Sequence, residues 1–121
     1  MSRLTFYAHP KCGTCRSARE WLEKHGLAFD EKDIRATPPT VAELRTMLKS
    51  QGGKLGRLCN TSGIEYRAQG LSARISTMSG DDALRLLAGN GMFVKRPFLL
   101  GPGVALVGFQ EPLWAATLGK K

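Results

Sequence analysis

The chain has 121 residues, 42% hydrophobic, 23% charged and 7% aromatic, with 18 Lys and Arg against 10 Asp and Glu and a formal net charge of +8. That length fits one domain with a core of its own, and the composition excludes a disordered chain. No apolar run nears the roughly 18 residues of a membrane span, and an odd count of three cysteines excludes a purely disulfide-stapled secreted scaffold.

Met1 to Tyr7 lacks the apolar stretch of a leader peptide, so the expected compartment is the cytoplasm, with no membrane partner. There a close cysteine pair is catalytic or metal-binding more often than structural. The basic residues are scattered, the longest runs being Lys95-Arg96 and Lys120-Lys121, which reads as a solvated basic surface without sequence-specific nucleic-acid binding. The length favours a monomer.

Leu4 to Ala8 is a β-prone run ended by His9-Pro10. Thr14 to His25 has helical spacing, with Cys15, Ala18, Trp21 and Leu22 opposite a charged face, and Gly26 stops it. Leu27 to Ile34 reads as a second strand, so the first 35 residues or so predict a βαβ unit with a parallel strand pair. Pro38-Pro39 breaks the chain. Thr40 and Glu43 form a capping box for a helix from Val41 to about Gln51, ended by Gly52-Gly53. Leu55 to Leu71 predicts one or two short helices, and Asp81 to Ala88 another, capped by Ser79 or Gly80. Phe98 to Leu100 and Val104 to Val107 flank Gly101-Pro102-Gly103 as a hairpin, and a last short helix begins at Glu111-Pro112. The order is βαβ, a helical segment, then ββα. Trp21, Phe29, Leu44, Leu84, Leu87, Phe98 and Leu106 are expected in the core, with Met78 and Met92 as packing residues.

The informative motif is Cys12-Gly13-Thr14-Cys15, placed between the first strand and the first helix. A cysteine just before a helix points its sulfur at unpaired backbone N–H groups, which with the helix dipole favour a thiolate. Cys15, three residues on, is near enough to close a disulfide on Cys12, and Gly13 lets the backbone approach closely. Lys11, Arg16 and Arg19 add positive potential. Two other readings stand beside this one: a pair of buried packing cysteines, or half of a zinc site completed by Cys59, His9 or His25. Cys59 by itself reads as a small buried hydrophobe. His9 either tunes the Cys12 thiolate or merely ends the strand, and His25 suits a helix C-terminus. Lys95-Arg96-Pro97 precedes the hairpin, where a thioredoxin-like fold carries a cis-proline against its redox cysteines. Arg96 there holds a thiolate or an oxyanion, or is a solvated edge residue.

Several stretches together resemble the arsenate reductase (ArsC)/Spx/MgsR family of thioredoxin-like proteins. They are His9 to Arg16, Pro38-Pro39-Thr40 with Glu43-Leu44, Asn60-Thr61-Ser62-Gly63 with Tyr66-Arg67, and Lys95-Arg96-Pro97 followed by Val107-Gly108-Phe109 and Glu111. The resemblance implies a single α/β domain over 1–121. Its thioredoxin-like core would be about 1–37 and 92–121, with a helical insert at about 38–91.

The resemblance further implies Cys12 as nucleophile and Arg96 as the basic residue beside it. His9, Gly13, Thr14, Asn60 and Pro97 complete the expected site, and no metal or bound cofactor is expected. Arsenate-reducing members carry two further arginines, at the positions of Asn60 and Gly108; Arg57 or Arg67 would have to substitute. Each lost charge-assisted bond costs about 1.5–3 kcal/mol. A glutaredoxin-coupled arsenate reductase works with the first cysteine alone, whereas a CxxC adds a resolving thiol. The expected function is therefore thiol-dependent reduction of a disulfide or an oxyanion, with glutathione/glutaredoxin or thioredoxin as electron donor. The alternative is a redox-sensing regulator that binds the C-terminal domain of the RNA polymerase α subunit.

Overall fold

The computed structural model describes residues 3–119, so the Lys120-Lys121 pair lies outside the described residues. Strand β1 (Leu4–Ala8) leads through a turn into helix α1 (Gly13–Lys24) and strand β2 (Phe29–Asp33). Helices α2 (Val41–Ser50), α3 (Ile64–Ala68), α4 (Leu71–Ser76) and α5 (Gly80–Ala88) follow, with 3₁₀ turns at Leu55–Leu58 and Gly91–Phe93. Strands β3 (Phe98–Gly101) and β4 (Val104–Val107) and helix α6 (Glu111–Leu118) close the chain. The sheet order is β2-β1-β3-β4. β1 and β2 are parallel, with Leu4 opposite Phe29, and β3 is antiparallel to both β1 and β4, with Phe6 opposite Leu99 and Leu99 opposite Leu106. This is the expected thioredoxin-like α/β fold.

Alternation along the strands builds two cores. Phe6, Leu99 and Leu106 meet Cys15, Ala18, Trp21 and Leu22 of α1 and Trp114 of α6 on one face. Tyr7 and Phe98 face the other way, onto Leu44 and Met47 of α2 and Leu84 and Leu87 of α5. Phe29, expected in the core, is only partly buried, because β2 is an edge strand whose Asp30, Glu31 and Lys32 are exposed.

That strand also begins two residues later than Leu27. Gly26 adopts φ 68°, the Leu27 N–H reaches the Leu22 carbonyl and the Gly26 N–H that of Glu23. Leu27 is thus spent closing α1 in a Schellman turn before the strand can start.

The helical segment is tied to the sheet and to the loops beside it at three points. The Tyr7 hydroxyl donates to Glu43 Oε1 at 2.7 Å. Cys59 and Val94 form an antiparallel bridge, flanked by Asn60 N–H to Phe93 O and Lys95 N–H to Leu58 O, both 2.8 Å. Gly91 packs directly on the Ile34 backbone carbonyl, leaving no room for a Cβ.

Candidate active site at the start of α1

Cys12 is the N-cap of α1, with φ −91° and ψ 116°, and its Sγ accepts the Cys15 N–H at 3.3 Å. The turn before it is closed by two contacts from His9. Its carbonyl accepts the Cys12 N–H at 3.1 Å, and its Nδ1 accepts the Lys11 N–H at 3.0 Å. His9 therefore shapes the loop that delivers Cys12. Burial lowers the His9 pKa first, and the nearby Arg96 and Arg35 charges lower it further, so the imidazole is neutral around pH 7.

The two thiols differ in environment. Cys12 is partly exposed and Cys15 is fully buried; both are free thiols, close together. Burial pushes Cys12 up, but hydrogen bonding from Cys15 and the Arg96 guanidinium outweigh it, and the net lies below the ordinary thiol value. Burial raises Cys15 to about 12, and the neighbouring Cys12 adds to that. Gly13 and Thr14 are exposed between them and open the first turn of the helix.

Arg96 enters from the loop before β3. The Arg96–Pro97 peptide is cis and Pro97 is buried, as expected for this loop. The Nη1 of Arg96 is buried without a hydrogen-bond partner, and the residue also lines a groove of about 650 Å³ with Asn60, Ser62, Ile64 and Met92. The structure thus brings Arg96, His9, Gly13, Thr14 and Pro97 to the end of the sheet where Cys12 lies. Asn60 is on the groove too, but its Nδ2 donates to the Met92 carbonyl at 3.3 Å and packs against Gly63.

The arginines that were to replace the missing charges are elsewhere: Arg67 donates to the Thr61 carbonyl, and Arg57 is exposed on the 3₁₀ turn at Leu55–Leu58. Cys59 is buried, its thiol within 3.5 Å of the Leu55 carbonyl, as a packing cysteine would be. His25 stacks on Trp21 with ring centroids 4.2 Å apart. Among the described residues, no three His, Cys, Asp or Glu side chains cluster in a way that could hold a metal.

The neighbourhood of Gly108 was not legible beforehand. Gly108 is buried with φ 73°, its N–H donates to the Pro97 carbonyl at 2.8 Å, and its carbonyl accepts the Trp114 indole N–H at 3.1 Å. The space where a Cβ would stand is taken by the Lys95 side chain, with Cε at 3.2 Å and Nζ at 3.9 Å. Only the cross-strand pairing brings residues 95 and 108 together.

Known proteins agree with this geometry. The uncharacterised protein YusI of Bacillus subtilis is 44% identical to this chain, over 89% of it and 92% of the relative. The global transcriptional regulator Spx of Enterococcus faecalis is 30% identical over 89% of this chain and 80% of its own. The crystal structure of a possible arsenate reductase from Streptococcus mutans superposes with a TM-score of 0.83 at 40% identity, covering 91% of this chain and 93% of that one. The profile of the ArsC family matches residues 7–117, and the chain belongs to that family.

Proposed function

We infer that the protein is a thiol–disulfide reductase in which Cys12 attacks and Cys15 resolves. The observation that carries this is the asymmetry of the pair. Cys12 is accessible, capped by an N–H and beside Arg96, while Cys15 is buried directly behind it with its proton held tightly.

The Cys12 thiolate attacks one sulfur of a substrate disulfide. A Cys12–substrate bond forms, and the other sulfur leaves as a thiolate and takes up a proton. Cys15 then loses its proton and attacks Cys12 Sγ; the Cys12–Cys15 bond forms and the second substrate thiol departs. Two electrons have passed to the substrate. A dithiol donor of the thioredoxin class, or glutathione with glutaredoxin, returns them and restores both thiols.

A disulfide suits the site better than a tetrahedral oxyanion. Of the three positions that resemblance assigns to oxyanion binding, only Arg96 is charged here, and the Asn60 amide is already committed to Met92 O. The test is reduction of a small disulfide with a recycling dithiol. Cys12→Ser should abolish turnover, and Cys15→Ser should accumulate the Cys12 mixed disulfide, seen by intact mass. A Cys15→Ser variant that turns over normally would sink the resolving role.

A second reading is favoured by a different observation, the 30% identity to a protein named as a transcriptional regulator. In it, the same pair acts as a sensor and the partner is the C-terminal domain of the RNA polymerase α subunit. Pulldown with that domain under reducing and oxidising conditions tests it, and absence of binding in both states removes it.

A further inference from the structure

The loop that carries Cys12 is fastened to a single residue. Between β1 and α1 the chain makes the turn His9-Pro10-Lys11-Cys12. Pro10 has no N–H, so two backbone donors follow His9 in the turn, and both end on it. The Cys12 N–H donates to the His9 carbonyl at 3.1 Å, and the Lys11 N–H donates to His9 Nδ1 at 3.0 Å. The His9 backbone also hydrogen-bonds the Cys15 sulfur. The ring takes the place of the short Asn or Asp side chain of an Asx turn, with one difference: its acceptor can take up a proton.

An acceptor at Nδ1 requires a lone pair there, so the neutral ring carries its hydrogen on Nε2. A proton added at Nδ1 would face the Lys11 N–H donor to donor across 3.0 Å, and turning the ring over would put a carbon in its place. Either way the Lys11 N–H is released. The groups facing the ring are Arg96 from the loop before β3, Arg35 and Asp33 from the end of β2, Lys11 from its own turn, and the two thiols at the start of α1. Asp33 is the one carboxylate among them, and Arg35 holds it. Burial, and then the three cations, keep the ring neutral to a pH below the ordinary histidine value.

We propose that His9 is a positioning residue for the Cys12–Cys15 pair: its unprotonated Nδ1, by holding the Lys11 N–H, keeps Cys12 seated as the N-cap of α1, and a proton at that atom unseats it. Reaction at Cys12 is then turned down in acid through the loop and not through the imidazolium charge, which by itself would favour a thiolate. His9 touches neither the substrate nor the breaking bond, and its role rests on the reading that Cys12 is the attacking thiol.

The test is the initial rate of the intact chain with dipyridyl disulfide, a reagent that stays neutral between about pH 4 and 8, the range in which a histidine titrates. Cys12 forms the mixed disulfide and thiopyridone leaves, which is read by absorbance without a recycling donor. A lone thiolate loses rate about tenfold for each pH unit below its midpoint. Wild type should fall about fivefold below that line as His9 gains its proton, the weight of one ordinary hydrogen bond. His9→Asn supplies an acceptor that takes up no proton, so it should match wild type near about pH 8 and follow the line throughout. His9→Ala should be about fivefold slow over the whole range, without the extra fall. Nitrogen NMR of the labelled chain, with His9→Asn assigning the resonance, should place the ring hydrogen on Nε2 and show the Lys11 amide shifting with the midpoint of the ring. A wild-type rate that stays on or above the line overturns the proposal, as does a His9→Asn variant as slow as His9→Ala, or a ring hydrogen found on Nδ1. Rates that behave as expected in a chain that turns over no disulfide with a recycling dithiol would keep His9 in its role and count against the reductase reading instead.

Discussion

At Cys12 one backbone feature sets both local structure and reactivity. The residue ends the turn as an N-cap, and the same N–H that its sulfur accepts at 3.3 Å is one that a thiolate binds better than a thiol. Arg96 works in the same direction. The alkylation rate of Cys12 against pH should therefore have its midpoint below that of a free thiol, about 8.5. Arg96→Met should move the midpoint up and Arg96→Lys should bring part of it back. A midpoint that ignores residue 96 would detach Arg96 from the thiolate. The cysteine pair was legible in the sequence because its members are three residues apart and their context is local. Arg96 was legible through the proline that follows it. The commitment of the Asn60 amide to Met92 O and the seating of Lys95 on Gly108 were not, since both depend on contacts between segments distant along the chain.

The elements themselves were read closely wherever local chemistry fixes them. The Thr40/Glu43 box is present with both of its bonds, at 3.1 and 3.0 Å, and Ser79 caps α5 through the Asp82 N–H. The local pattern gave no sign that Glu43 serves a second master, the Tyr7 hydroxyl of β1, and so couples α2 to the sheet. Thr40→Ala should cost about 1 kcal/mol, the ordinary loss of a cap. Glu43→Ala should cost more in the same urea titration, since it removes the cap's return bond and also strands the buried Tyr7 hydroxyl. Equal losses would mean the Tyr7 bond adds nothing. Gly91 is the sharper case. Its missing side chain lets the 3₁₀ turn at Gly91–Phe93 lie on the Ile34 carbonyl, a backbone atom that cannot swing aside. Gly91→Ala should therefore destabilise by about 2–3 kcal/mol through overpacking, whereas alanine at Gly13, where nothing stands nearby, should cost far less.

Across the whole molecule, the protonation balance of the buried acids points one way. Burial raises Cys15 to about 12, and burial likewise raises Tyr7, Cys59 and Tyr66; Tyr7 is raised further by its bond to Glu43. For each of these groups the folded chain holds the proton more tightly than the unfolded chain does. Their contribution to stability is present in full below the unfolded-state value, about 8.5 for a thiol and 10 for a tyrosine, and is lost as pH rises towards the folded-state value. Cys12 has the opposite sign, but it is one group against four. The expected result is a stability that falls with pH above about 9, measured as the urea midpoint at constant salt. Cys15→Ala should make that fall shallower between about 9 and 12, because a group that no longer titrates carries no slope, even though the variant starts from a lower stability through its lost packing. A wild-type stability that stays level over that interval would mean that the buried thiol and phenol groups ionise as readily in the folded chain as in the unfolded one. The proton held by Cys15 would then be no barrier to its attack on Cys12, and the division of labour between the two cysteines would need another physical basis.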